Sequence, residues 1–176
     1  MRERLALCAA ALQGDVVNAV IRRDTARVIL AGPGDRVLLF RHPLPPPWSR
    51  EGWLTPGGGI DPGETPAETA VRELREETGL VVGLERAVAF DSGEWTAGGR
   101  RHAGKNWYFF ARVADDRVDL SGQDEVERRD LLDHRWWAVG DLRTTDEFVF
   151  PIGLADLLTR LLRGDIPPEP VELPWS

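Results

Sequence analysis

Residues Gly58 to Leu80 read GGIDPGETPAETAVRELREETGL. Helix signals crowd its second half. Thr65 can cap, Pro66 suits the first helical position, and Glu68 completes a capping box. Gly79 suits the left-handed residue that closes a helix. Ala70, Val71 and Leu74 form an apolar flank, so the helix is amphipathic and needs a core to pack on. The other flank is acidic. Positions three and four apart on a helix are neighbours, which puts Glu73 beside both Glu76 and Glu77. Carboxylates crowded in this way repel one another. A hard divalent cation such as Mg²⁺ or Mn²⁺, which favours oxygen ligands, would neutralise them. Upstream, the glycines of Pro56-Gly57-Gly58-Gly59 allow the backbone to approach a ligand closely.

This spacing resembles the Nudix box, G-x5-E-x7-R-E-U-x-E-E-x-G-U with U an aliphatic residue. Gly58, Glu64, Arg72, Glu73, Leu74, Glu76, Glu77, Gly79 and Leu80 fill its fixed positions. The box covers 23 of 176 residues, and flanking strand patterns extend the resemblance over roughly 24 to 162. The resemblance implies an α/β protein, a Nudix-like α/β/α sandwich with a mixed β-sheet. It implies a metal-dependent hydrolase that cleaves the diphosphate linkage of a nucleotide or nucleoside-diphosphate derivative. The cofactor would be Mg²⁺ or Mn²⁺, held by Glu73, Glu76, Glu77 and the Gly58 carbonyl. Glu76 ranks first as the general base, with Glu73 also in the chemistry and Arg72 fixing carboxylates. Glu127, in the charged stretch before HRWW, is the choice for a further acid.

Two other readings compete. A regulatory or nucleotide-binding module could keep the scaffold without catalysis, but such boxes usually lack an acid and this one is complete. A prenyl-diphosphate isomerase would need a cysteine or acid pair near the site, for which Cys8 is poorly placed.

The chain suits one domain with a substantial core. Expected boundaries are an N-terminal helical extension over 1–14, the main domain over 15–164 and a proline-rich tail over 165–176. With 22 Lys and Arg against 29 Asp and Glu, the net charge of −7 argues against a broad grip on extended nucleic acid or a messenger-decapping role. The expected partner is a small nucleoside-diphosphate substrate, since a bound cation reverses the local sign. One cysteine excludes an internal disulfide and fits a cytoplasmic setting. Residues 5–12 form a short apolar run after Met1-Arg2-Glu3-Arg4, better read as helix than as an export signal. No apolar run is long enough to span a membrane. The extension and tail could reach a second subunit, so a homodimer is possible.

Residues 25–31 and 36–41 read as a hairpin about Gly32-Pro33-Gly34-Asp35. Residues 53–55, 80–84, 86–91, 106–113 and 134–139 read as strands, and 150–162 as an amphipathic helix. Residues 42–52, 92–105 and 114–131 read as loops. For substrate, Arg41, Arg100, Arg101, His102 and Lys105 are cations that could meet phosphate. Trp48, Trp95 and Trp107 could stack on a base. Arg41, Trp48 and Arg101 are the preferred substrate contacts.

Overall fold

The computed structural model describes residues 19–44, 46, 48, 50–123 and 125–175, and the backbone but not the side chains of Val126 and Glu127. The expected helix over 1–14, with Cys8, lies outside the described residues. So do Asp124 and the side chain of Glu127.

Alternating residues build the sheet. Strand β1 (Ile21–Arg22) precedes the hairpin of β2 (Thr25–Gly32) and β3 (Arg36–Pro43). Its turn lies where expected, with positive φ at Gly34 and Asp35. There follow β4 (Glu51–Leu54), β5 (Gly57–Gly59), helix α1 (Pro66–Thr78) and the long hairpin β6 (Ala87–Ala97) and β7 (Arg100–Arg112). A 3-10 turn (Leu120–Gly122), helix α2 (Glu125–Asp130), β8 (Asp133–Ala138), α3 (Val139–Thr144), β9 (Val149–Phe150), α4 (Leu154–Leu162) and β10 (Val171–Glu172) complete the described elements. The main path of the sheet runs β10-β6-β7-β2-β3-β4-β9. It is mixed: β2 lies parallel to β7, while β2–β3 and β6–β7 are antiparallel.

Both faces of the sheet are covered. Ala26, Val28 and Leu30 of β2, with Leu38, Phe40 and Phe109, pack on Ala70 and Leu74 of α1. Ile29, Val37, Leu39, Tyr108 and Trp137 point the other way, toward Leu154, Leu157, Leu158 and Leu161 of α4. These α4 leucines are at most 3% exposed, and burying each is worth about 1.5–3 kcal/mol. Trp136 and Trp137 fall on opposite faces, as period-2 alternation requires. The α/β/α sandwich expected from the sequence is the architecture observed.

The sheet forks between β2 and β3. They pair only at Ala31↔Val37 and Gly32↔Arg36, beside their turn. Beyond it, β5 takes over that edge of β2 across Thr25–Arg27. On β3, β4 takes over across Phe40–Pro43. The two arms diverge, and the space between them is a cleft.

Several segments differ from the sequence reading. Residues 92–105, expected as a loop, are strand almost throughout, turning at Gly98-Gly99 with φ of 57° and 72°. A two-glycine turn with both φ positive matches the twist of a tight hairpin. Residues 80–84, expected as a strand, form none, and the charged stretch 114–131 includes α2. The helix expected from 150 begins at Leu154, because Val149 and Phe150 pair with Trp53 and Leu54. The proline-rich segment adds β10 to β6 through Val171↔Ala89 and Glu172↔Phe90.

Candidate active site

Helix α1 is positioned by its ends. Thr65 Oγ1 accepts from the Glu68 amide, and the Glu68 carboxylate accepts from the Thr65 amide at 2.8 Å. Gly79 closes the helix in the left-handed conformation. Leu74 and Ala70 anchor the apolar side, so the acidic side faces β5 and the cleft.

Arg72 organises this side. Its Nε and Nη2 donate to the two Glu64 oxygens at 2.8 and 2.9 Å, a forked pair. Its Nη1 donates to Glu73 at 2.9 Å and to Glu76 at 3.1 Å. The guanidinium holds the Glu64 carboxyl down at about 2, with help from the Thr69 hydroxyl. The same carboxylates raise Arg72 above its ordinary value. Glu77 accepts from the Gly57 amide at 2.7 Å. A Cβ on Gly58 would collide with the Glu73 carboxylate, so glycine lets the main chain lie against it.

The cleft encloses about 460 Å³. Glu73, Glu77 and Gly57–Gly59 form one end. Arg23 and Arg27 line the β2 arm, and His42 and Leu54 the other. Trp48, Trp95 and Trp175 complete its aromatic lining with Phe148 and Phe150. Burial, and then the positive charge of Arg27, lowers the His42 pKa and favours its neutral form. Beneath the cleft Asp91 is fully buried, accepting from Asn106 at 2.6 Å and Tyr108 at 2.7 Å. Burial raises both Asp91 and the Tyr108 phenol.

Of the residues expected from sequence, Glu73, Glu77, Gly58, Trp48 and Trp95 meet in the cleft, and Trp107 does not. Glu76 is not among the lining residues; it lies one helical turn from Arg72, more exposed than Glu73. Arg41 pairs with Glu51 at 2.6 Å and Arg101 with Glu94 at 2.7 Å, both away from the lining residues. Lys105 sits over Phe90 and Trp107, and His102 stacks on Trp95. The Glu127 backbone lies in α2. Arg23, Arg27 and Trp175 escaped sequence reasoning. Arg27 carried a signal, a cation flanked by Ala26 and Val28 in an apolar strand. Trp175 carried none, because only the pairing of β10 brings it to the cleft.

The NUDIX domain profile matches residues 21–156, most of the chain. The chain belongs to the NUDIX family. Its enzyme class is accordingly a Nudix-type pyrophosphohydrolase. An "RNA pyrophosphohydrolase" of Pseudomonas paraeruginosa (strain DSM 24068 / PA7) is 29% identical over 159 residues, covering 81% of this chain and 96% of that protein. One from Pseudomonas putida (strain GB-1) is 28% identical with the same coverage. The MutT protein from Methanosarcina mazei Go1 superposes with a TM-score of 0.58 at 18% identity, covering 83% of this chain and 96% of that chain. A C. elegans Ap4A hydrolase binary complex gives a TM-score of 0.56 at 20% identity, covering 81% and 98%. At such identities these structures share the fold. No helix among the described residues is long and apolar enough to cross a membrane.

The donors fit a hard divalent ion. Among the described residues no three acid, histidine or cysteine side chains already converge as a cage. Mg²⁺ does not require one: it is commonly held by one or two carboxylates together with substrate phosphates. Glu73 and Glu77, each 8% exposed on one face of α1, supply such a pair.

Proposed function

We propose that this protein hydrolyses a phosphoanhydride in a small nucleoside-diphosphate derivative, using Mg²⁺ or Mn²⁺. The observation that supports it best is the meeting of Glu73, Glu77, Arg23 and Arg27 in one cleft at the fork of the sheet. Glu76, expected among the ligands, does not line the cleft, which leaves Glu73 and Glu77, with the Gly58 carbonyl, as the oxygen donors for the cation. When bound, it would neutralise phosphate charge and acidify water. Arg23 and Arg27 offer guanidinium donors to the phosphate oxygens. Arg72 keeps Glu73 and Glu76 in place. Glu76 accepts the proton as water attacks one phosphorus. The bridging P–O bond breaks, and the second phosphate group leaves with its electron pair.

The name shared by the Pseudomonas relatives, which match over 96% of their length, favours a second substrate: the 5′ end of an RNA. The acidic charge balance would restrict contact to the terminal nucleotides.

A panel of nucleoside diphosphate derivatives and 5′-triphosphorylated RNA, assayed for phosphate and pyrophosphate release, tests both. Turnover is expected with Mg²⁺ or Mn²⁺ and is lost with excess chelator. Glu76→Gln should cut it about a hundredfold or more. Turnover that survives chelation would remove the cation from the reaction.

A further inference from the structure

The chain end does not trail away from the cleft. Arg86 donates to the Pro168 carbonyl at 2.6 Å, β10 pairs with β6, and the Leu173 amide donates to the Phe90 carbonyl at 2.8 Å. Two residues on, the Trp175 indole lies flat on Gly93, where any Cβ would collide with it. It stacks on Trp95 at 5.7 Å and 27°, and Trp95 stacks on His102 at 5.3 Å and 14°. Three near-parallel rings thus form a column across β7, β6 and the chain end. At the Trp175 end, Phe150 and Trp48 meet it edge-on, at 89° and 65°. The result is an aromatic corner opening into the cleft that holds Glu73, Glu77, Arg23 and Arg27. Trp48, Trp95 and Trp175 all remain partly exposed and all line the cleft.

We propose that this C-terminal strap completes the substrate site, and that Trp175 is the surface on which the substrate's nucleobase lies. The proposal rests on the pyrophosphohydrolase reading for which end of the ligand carries phosphate. Flat rings lining the cleft suit a flat, uncharged aromatic group, because every base has a π-face to stack. Arg23 and Arg27 line the same cleft and suit the phosphates. A residue outside the region matched by the family profile would then decide what the enzyme takes: Trp175, nineteen positions past the profile's end at 156.

The test is calorimetric binding of the four nucleoside 5′-monophosphates and of ribose 5-phosphate, which has phosphate but no base. The full chain is compared with Trp175→Ala, Trp175→Phe and Gly93→Val. Gly93→Val evicts the indole without altering the strap's own sequence. Melting curves identify any variant that fails to fold, and Trp175→Phe keeps the question open if Trp175→Ala does. The intact protein is expected to bind at least one nucleotide about tenfold or more tighter than ribose 5-phosphate. Trp175→Ala and Gly93→Val should erase that advantage and leave ribose 5-phosphate binding as it was, while Trp175→Phe retains most of it. Equal nucleotide affinity in Trp175→Ala, or no preference for nucleotides over ribose 5-phosphate in the intact protein, would overturn the proposal. So would tighter binding in Trp175→Ala, which would make the indole a plug. Trp175-dependent nucleotide binding without hydrolysis of any diphosphate would instead count against the catalytic reading alone.

Discussion

At the scale of single residues the site turns on Arg72. One planar guanidinium reaches Glu64, Glu73 and Glu76 together. Lysine is a point charge on a flexible stem and cannot reproduce that fork. Arg72→Lys is therefore expected to keep the fold, by circular dichroism, and to lower kcat about 10–100-fold, as loss of a supporting partner typically does. Glu64 gives a pH signature. Its folded pKa of about 2 lies below the ordinary 4.5, because Arg72 favours the charged form. Its contribution to stability is present in full above pH 4.5 and is lost as pH falls toward 2. The melting-temperature gap between wild type and Glu64→Gln should thus be widest above pH 4.5 and close by pH 2. A gap that stays constant with pH would mean that the pair does not stabilise the fold. The acidic positions were legible from sequence because they recur at fixed spacing on one helix, and Gly58 because it stands at a set distance upstream of them. Arg23 and Trp175 were not, since nothing in their neighbourhood along the chain announces the strands that carry them to the cleft.

Between elements, β5 shows how two adjacent glycines answer to different demands. Gly57 has φ of 132°, and a Cβ there would strike the backbone of Ala26 and Arg27. Gly58 would meet only the Glu73 carboxylate, the movable end of a side chain. Gly57→Ala should therefore destabilise by about 1–3 kcal/mol in urea unfolding. Gly58→Ala should leave the unfolding midpoint close to wild type and yet lose most activity, because the displaced carboxylate is a proposed ligand. The reverse pattern would overturn this division. Helix α1 was readable end to end, because Thr65, Pro66, Glu68 and Gly79 each mark a terminus by local chemistry. The β6–β7 hairpin was hidden by its polarity. Ser92, Glu94 and Thr96 face solvent, while Gly93, Trp95 and Ala97 are partly covered, and that alternation carried the strand signal beneath a loop-like composition.

For the molecule as a whole, α4 and α1 close opposite faces of one sheet, each over its own buried core, and the acidic cluster lies on α1. Leu158, fully buried under the sheet, should cost about 2–5 kcal/mol when cut to alanine, measured by chemical denaturation. A much smaller loss would mean that α4 is only loosely seated. The sandwich was foreseeable, because strand-rich flanks around two amphipathic helices leave few ways to bury both apolar faces. The fork was not, because pairing partners far apart in the chain determine where a ladder stops. That fork has an engineering consequence. A cleft set in a gap between backbone arms cannot be grafted elsewhere by copying a loop, since both arms would have to travel with it. Redesign of selectivity should leave the arms alone and vary the aromatic side chains that line the cleft from outside them, Trp48, Trp95 and Trp175.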